Sequence, residues 1–211
     1  MGFFSFLNSN QTYTDKVWRT RTFAFRGMIA EAMLTITQNE IPVVFTFFEQ
    51  TRQEVLTFLN TNQVPHVALT ADSFLTAAQE DKGVFVADAQ LIHSKKFLDW
   101  VYHGLPRVNF FFAGHYPLPQ RESIIIQKLQ TAFPKRPLVF HSSMEDPSFT
   151  IFGTDKLGEL LDKLGMKEEE PIEHTFVTRS MQRAREKVQR MVRSEIVAHS
   201  EEEWFTRNVK R

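Results

Sequence analysis

The 211-residue sequence contains no cysteine, few glycines and no net charge. The lack of cysteine excludes disulfides and thiolate chemistry and is compatible with a reducing compartment. Only 8 glycines are present, and neither G-x-x-x-x-G-K-S/T nor G-x-G-x-x-G occurs, so the sequence has no glycine-rich cradle for phosphate groups. Because 25 basic residues balance 25 acidic ones, no global field draws in nucleic acid or an anionic membrane.

Long apolar runs are also missing. No stretch approaches the roughly 20 apolar residues that a membrane span requires. The segment Met1–Leu7 is apolar, but it lacks a basic leader and is too short for a signal peptide. Phe6 stands where the myristoylation pattern requires serine or threonine. These absences predict a cytoplasmic protein.

The residues that are present describe a folded α/β protein. Hydrophobic residues make up 42% of the chain, which is enough to bury a core. Short apolar runs alternate with helix-like stretches, and most runs are continuous, as in parallel strands covered on both faces. This order predicts a doubly wound parallel sheet. The apolar runs are Ile41–Phe48, Pro65–Leu69, Gly83–Ala87, Val108–Ala113 and Pro137–Phe140, and the helix-like stretches are Thr20–Gln38, Thr51–Asn60, Phe74–Gln79, Lys95–Tyr102 and Pro119–Thr131.

Polar segments follow the predicted strands, at the edge where such sheets bind ligands. The segments that end the last two strands are Gly114–Tyr116 and His141–Ser143. The seven histidines lack the spacing of a zinc motif, and no nucleophile elbow surrounds Ser142 or Ser143. We therefore predict neither a metal site nor a catalytic residue.

The carboxyl-terminal part predicts a long basic helix from about Thr175 towards His199. Its apolar positions form a narrow seam of Val177, Met181, Ala184, Val188 and Met191, and the basic residues beside it include Arg183, Lys187 and Arg190. One interpretation is a helix docked by its seam, with the charged face in water. The other is a basic surface for an acidic protein or lipid. Trp204, Phe205 and Val209 either anchor the tail or leave it to fray.

The stretch Ser143–Gln189 carries a specific resemblance. Within it, Leu157, Leu160, Leu161 and Leu164 share one face of a predicted helix that Thr154 caps and Gly165 ends. The text G-T-D-K-L-G-E-L-L-D-K-L-G-M-K-E-E-E-P-I-E-H-T-F-V-T-R-S-M-Q-R-A-R-E-K-V-Q resembles SecA, the preprotein-translocase motor ATPase family. The resemblance implies a RecA-like fold of the P-loop NTPase or helicase C-terminal type, with a RecA-like domain at residues 1–170 and a C-terminal helical extension at residues 171–211.

The nucleotide-contacting text of that family does not carry over. The loop that is normally rich in glycine and bears aspartate reads Val84–His93 here, without glycine. The helix that normally reads Q-x-x-G-R-x-G-R is Ile124–Arg136, and neither finger arginine is in place. An arginine finger increases the rate of phosphoryl transfer by about 10³–10⁵-fold. Lys128, in the same helix, lacks the planar guanidinium that this role requires. The resemblance leaves only a vestigial nucleotide edge, made of Asp88, Arg121, Lys128 and Arg136.

These observations favour a degenerate, non-catalytic SecA-like domain that binds a protein through the apolar seam and its basic face. The expected partner is a translocation motor or another secretion component, and no cofactor is expected. The alternative is one half of a split ATPase that closes over a P-loop domain on another chain, with ATP or ADP bound only if that partner supplies the P-loop. A nucleic-acid module is a third hypothesis, against which the neutral net charge argues.

Overall fold

A parallel sheet organises the part of the chain that the structure describes. The computed structural model describes residues 13–70, 83–97, 108–152, 167–172 and 175–209. The sheet has six strands in the order β1-β6-β5-β2-β4-β3, and all of its pairings are parallel. The strands are β1 (Thr14–Trp18), β2 (Ile41–Thr46), β3 (His66–Ala68), β4 (Val84–Asp88), β5 (Val108–Ala113) and β6 (Leu138–Ser143). The helices are α1 (Arg21–Thr37), α2 (Glu49–Thr61), α3 (Pro119–Ala132), α4 (Pro147–Phe152), α5 (Thr175–Met191) and α6 (Glu201–Asn208), and a 3-10 helix (Ala89–His93) follows β4.

Helices cover both faces of the sheet, because alternate residues of each strand point to opposite sides. On one face, Val44 and Phe111 pack under α1 and α2, with Met28 and Leu59 fully buried. The other face is aromatic, and the rings of Phe112 and Phe140 stack at 4.3 Å between centroids. This second face packs against α3, α5 and α6. The predicted α/β class with a doubly wound parallel sheet is confirmed, and burial on both sides explains the continuous apolar runs.

Strand β1 is the element of the sheet that the sequence did not predict. Its text T-D-K-V-W shows no apolar run, since an edge strand buries only part of its surface. Parallel pairing with β6, from Thr14 opposite Val139 to Trp18 opposite Ser143, builds it. On its outer side the backbone N–H of Ile172 donates to the carbonyl of Val17 at 2.6 Å. Tertiary pairing, not hydrophobic pattern, therefore specifies this strand.

The carboxyl-terminal helices pack back on the sheet. Val177, Met181, Ala184 and Val188 are buried, whereas Met191 is 47% exposed. Helix α5 ends at Met191 instead of continuing to His199. The predicted seam is thus covered by the chain's own domain, which leaves it closed to a partner in this arrangement. Val188 also lies in the same core as the phenylalanines of β5, so the two predicted domains share a hydrophobic core.

Helix α6 anchors the tail. Ser200 caps its amino terminus by accepting a hydrogen bond from Glu203 N at 3.0 Å. Trp204, Phe205 and Val209 are buried, so of the two predicted outcomes for the tail the structure shows anchoring.

Some predicted elements fall outside the described residues. These are the helix Phe74–Gln79, most of the helix Lys95–Tyr102, and the leucine-rich helix between Thr154 and Gly165. In the part of the chain that the structure does describe, no helix combines the length and apolarity needed to cross a membrane.

Glycine at position 27 lets α1 approach Trp18. A Cβ added there would lie 2.0 Å from the Trp18 Cζ2 atom, in a ring that is itself buried. In an unobstructed helix, Gly27→Ala would stabilise by about 1 kcal/mol. We expect instead a destabilisation of about 1–3 kcal/mol, because the indole cannot move aside. Urea unfolding measures this change in the free energy of unfolding. In a Trp18→Leu background, Gly27→Ala should become neutral or stabilising, because the smaller side chain leaves room for the added Cβ. Stabilisation by Gly27→Ala alone would contradict this packing.

Candidate functional site

The carboxyl edge of the sheet is where an α/β fold of this kind binds ligands. The ends of β2, β5 and β6 meet there beside the amino terminus of α1. The cavity between them has a volume of only about 10 Å³. That is the space of about one water molecule. Its polar lining includes Arg21, His115, Asp146 and Glu201.

Arg21 connects three elements at this edge. It is the first residue of α1, which Thr20 caps by accepting from Phe23 N at 3.3 Å. Its guanidinium donates to Thr51 Oγ1 at 3.0 Å and pairs through Nε with Glu54 at 2.7 Å, both on α2. Its Nη1 lies 3.7 Å from Asp146 Oδ1, in the turn after β6. This cation is therefore already engaged by three groups of the chain itself, although about a quarter of its side chain is exposed.

Two buried carboxyl groups, Asp146 and Glu201, share the cavity with Arg21. Asp146 accepts from the backbone N–H of Ser143 at 2.9 Å and from its hydroxyl at 3.1 Å. Glu201 reaches the cavity from the first turn of α6. Burial raises the pKa of both groups, and the neighbouring Asp146 carboxylate raises the pKa of Glu201 further, well above its ordinary value. The cavity thus favours the protonated form of each carboxyl group more than water does.

A buried network of four charges lies beside the cavity. The His115 ring nitrogens lie 2.9 Å from Asp15 Oδ1 and 3.0 Å from Glu122 Oε2. Arg185 Nη2 lies 2.6 Å from Glu122 Oε1 and donates to the Tyr116 carbonyl at 3.0 Å. Because both ring nitrogens face carboxylates, both donate, and His115 is an imidazolium. Two carboxylates then balance two cations.

The pKa shifts in this network follow from its pairing. Burial alone would raise the pKa of Glu122, but Arg185 and His115 lower it to about 2. Burial opposes the charged form of His115, yet the Glu122 carboxylate raises the pKa of the ring. The network joins β1, the β5–α3 connection, α3 and α5. Its members all have partners within the chain, so its role is to dock α5.

His141 is a second buried histidine with a structural role. Trp18 Nε1 donates to His141 Nδ1 at 3.2 Å, and since indole only donates, Nδ1 carries no proton. Burial lowers the pKa of His141, which keeps the ring neutral with its proton on Nε2, 3.7 Å from Glu31. Across the described ranges, no group of three or more His, Cys, Asp or Glu residues has the geometry to hold a metal ion.

Residues 192–209, which we term the C-terminal strap, lie over the carboxyl edge. The carbonyl of His199 accepts from Gln50 N at 3.1 Å and so satisfies a free donor at the start of α2. The Glu195 carboxylate accepts from Trp204 Nε1 at 2.8 Å and from the Tyr116 hydroxyl. Trp204 is fully buried behind these contacts. The chain itself thus closes the edge at which a ligand would enter.

The four residues of the predicted nucleotide edge do not form one site. Asp88 caps the 3-10 helix by accepting from Gln90 N at 2.7 Å, and Lys128 Nζ lies 2.6 Å from His93 Nδ1 at the other end of that helix. Arg121 is 64% exposed and lies 3.3 Å from Glu195 of the strap. Arg136 pairs at 3.8 Å with Glu40, which precedes β2 and so lies at the opposite, amino edge of the sheet. The resemblance grouped these four residues at one nucleotide edge, but the structure does not bring them together.

The predicted basic face is present on α5. Four exposed basic residues are separated by four, four and three positions along the sequence, so they lie on one side of the helix. This basic stripe consists of Arg179, Arg183, Lys187 and Arg190. Arg190 also lies 3.7 Å from Glu186. Arg185, another basic residue of the same helix, is instead 3% exposed and belongs to the buried network.

Sequence reasoning did not identify Arg21, Asp15 or Glu201 as members of a common site. These residues are charged and lie in polar segments of the sequence. Such residues are mostly exposed, so their shared burial was not expected from the sequence. Local signals were present at two helix starts, since Glu122 lies in the first turn of α3, and Glu201 lies in the acidic first turn of α6 after the Ser200 cap.

Comparison with known proteins gives a partial relationship. No family model matches the chain. The SecA protein translocase subunit of Acidithiobacillus ferrooxidans is 52% identical over 50 residues, which is 24% of this chain and 6% of that protein. The SecA subunits of Ehrlichia chaffeensis and Methylococcus capsulatus are each 48% identical over the same length. The chain is therefore homologous to SecA over about a quarter of its length, and the match spans 6% of the length of these relatives.

Two solved structures show distant similarity. The Pyrococcus furiosus Hef helicase domain superposes with a TM-score of 0.41 and 16% identity, over 68% of this chain and 28% of that chain. The C-terminal part of the Fun30 ATPase domain gives a TM-score of 0.39 and 13% identity, over 79% of this chain and 54% of that one.

The Arg185–Glu122 pair should carry a large part of the docking of α5. Arg185→Met removes the cation and leaves the Glu122 charge buried, so we expect a loss of about 3–5 kcal/mol of unfolding free energy. Arg183→Met, the same change at an exposed position of the same helix, should change stability by less than about 0.5 kcal/mol. Chemical denaturation at neutral pH measures both.

Adding Glu122→Gln to Arg185→Met should recover part of that loss. The neutral amide still accepts the Tyr116 N–H that Glu122 accepts at 2.8 Å, but it no longer holds a buried charge. Additive losses in the double variant would show that the two side chains are not coupled.

Proposed function

We propose that this chain is a SecA-like, RecA-type domain that acts by binding a protein and does not hydrolyse nucleotide. The proposal assigns it to protein translocation, with a translocation motor or another secretion component as partner. The homology to SecA over a quarter of the chain supports this context. The absence of a P-loop and of an arginine-finger helix from the sequence supports the non-catalytic role.

The observation that carries the proposal is the closed carboxyl edge of the sheet. Small-molecule sites usually enclose about 300–1,000 Å³. The cavity at this edge has about 10 Å³, and the C-terminal strap lies over it. The cations beside it are engaged, since Arg21 contacts Glu54 and Arg185 contacts Glu122. A triphosphate would need both space and uncommitted cations at this edge.

The basic stripe on α5 is the surface that we assign to the partner. The opposite side of α5 is buried, which fixes the stripe as the outward face of a docked helix. Like charges spaced three and four residues apart on one helix face repel one another, so an acidic surface that covers them gains energy. Met191, Ile196 and Val197 add exposed apolar side chains where α5 ends. The surface therefore suits an acidic protein patch with an apolar margin.

The split-ATPase hypothesis remains the alternative, and one observation favours it. Arg121 is 64% exposed at the carboxyl side of the sheet, so a partner's nucleotide could reach it without entry into the closed cavity. In that case ATP binding requires the partner chain and is absent from this chain alone.

Calorimetric titration with ATP and with ADP distinguishes these functions. For the isolated chain we expect no saturable heat up to about 1 mM nucleotide, because the cavity holds only about one water. Saturable binding in the micromolar range would overturn the non-catalytic proposal. Binding that emerges only after a P-loop protein is added would favour the split ATPase.

Charge reversal on the stripe tests the binding surface. We expect Arg183→Glu with Lys187→Glu to weaken binding to purified SecA at least tenfold, about 1.4 kcal/mol, at low salt. Lys95→Glu with Lys135→Glu makes the same change in net charge at two exposed positions outside α5, and it should leave affinity within about twofold. Biolayer interferometry at two salt concentrations measures both variants. Equal losses would show a global charge effect, and wild-type chain that does not bind SecA would exclude that partner.

A further inference from the structure

We propose that the C-terminal strap is a proton-linked latch, in which one proton taken up by the buried carboxyl groups of Glu201 and Asp146 keeps the strap closed over the carboxyl edge of the sheet. The strap then opens more readily as pH rises. This inference goes beyond the proposed function, since it concerns the chain alone and needs no partner.

The geometry of the cavity motivates the latch. Glu201 is 8% exposed and Asp146 is 7% exposed, and both line the same space as Arg21. Glu201 is the single carboxyl group that the strap contributes to this cavity among the described lining residues. When the strap lifts, Glu201 enters water and regains its ordinary acidity, whereas Asp146 keeps its hydrogen bonds to Ser143. Docking of the strap is therefore the step that brings the two carboxyl groups together.

The surrounding charges do not supply a second cation for the pair. Charged and titratable groups face Glu201 or its cavity from every element packed around it. They are Arg21 on α1, His115 after β5, His141 on β6, Asp146 before α4, Arg185 on α5 and Glu202 on α6, and Glu54 on α2 and Glu145 before α4 contact Arg21. Arg185 and His115 are committed to Glu122 and Asp15 in the buried network. Arg21 thus faces Glu54, Asp146 and Glu201, an excess of carboxyl groups that one proton relieves.

The direction of the pH effect follows from linkage. Burial and Asp146 raise the pKa of Glu201 in the docked state, whereas in the released state the group titrates near its ordinary value of about 4.3. The docked strap therefore binds more protons than the released strap. Docking is most favourable below the ordinary pKa and weakens by up to about tenfold per pH unit until the pH passes the docked-state pKa.

Release of the strap would expose defined groups. His199 leaves the amino terminus of α2, so Gln50 N becomes a free donor. Glu195 leaves Arg121 and Tyr116. Trp204 and Phe205 move into water, so the hydrophobic anchoring limits how far the strap opens without a further stimulus. The latch therefore tunes a minor open population.

Hydrogen exchange on the full chain tests the latch. Amide protection of residues 200–209 is followed from about pH 5.5 to pH 8, with each rate corrected for its intrinsic pH dependence. We expect the open population of the strap to rise by as much as about tenfold per pH unit in the wild-type chain. Amides of β5 in the sheet centre serve as an internal reference and should show no such rise. A flat profile for the wild-type strap overturns the proposal without any variant.

Glu201→Gln assigns the proton to its group. The amide carries no charge at any pH, so its strap should have a flat pH profile and a smaller open population than wild type at pH 8. Glu202→Gln, an exposed neighbour on the same helix turn, removes the same charge and should keep the wild-type slope. Parallel slopes in the wild type and in Glu201→Gln would assign the effect to another group and would overturn the latch.

Discussion

The buried charges Asp15, His115, Glu122 and Arg185 are the constraint on which the rest of the structure depends. They are contributed by an edge strand, a strand–helix connection, a central helix and a carboxyl-terminal helix. A buried ion is tolerated only when it is paired and its hydrogen bonds are satisfied. If any one of these elements moved away, a charged group would remain buried without its partner. The four groups therefore hold the carboxyl-terminal helix in one position.

That position decides what happens at the carboxyl edge of the sheet. Because α5 is held by Arg185, the chain emerges at Met191 close to the strand ends. The following segment folds across them, buries Trp204 and places Glu201 beside Arg21. The carboxyl edge of the sheet, where α/β folds of this kind usually bind ligands, is therefore covered by the chain's own C-terminal strap. The basic stripe lies on the outside of α5, away from this closed edge, and faces solvent.

The sequence predicted the strands and helices that have a clear local hydrophobic pattern. The predicted apolar runs mark strands β2 to β6, although β6 continues through the polar residues His141–Ser143, and α1, α2 and α3 were located within a few residues. It missed β1, which is polar and exists through pairing with β6, and α6, which is short and acidic at its start. The buried network was out of reach, because Asp15 and His115 lie 100 residues apart and Arg185 belongs to a helix rich in exposed cations. Arg136, which was assigned to the nucleotide edge by resemblance, lies at the amino edge of the sheet near Glu40, a position that the sequence pattern alone does not reveal.

The backbone bridge between Val17 and Ile172 has a consequence for solubility. A parallel sheet has two lateral borders, and an unprotected border recruits strands from other molecules into aggregates. Here the β1 border is shielded by the Ile172 contact, and the opposite border is β3, which is only three residues long. A neutral protein has little electrostatic repulsion to keep its copies apart, so this shielding is a barrier to fibril-like self-assembly that the chain carries in its own fold.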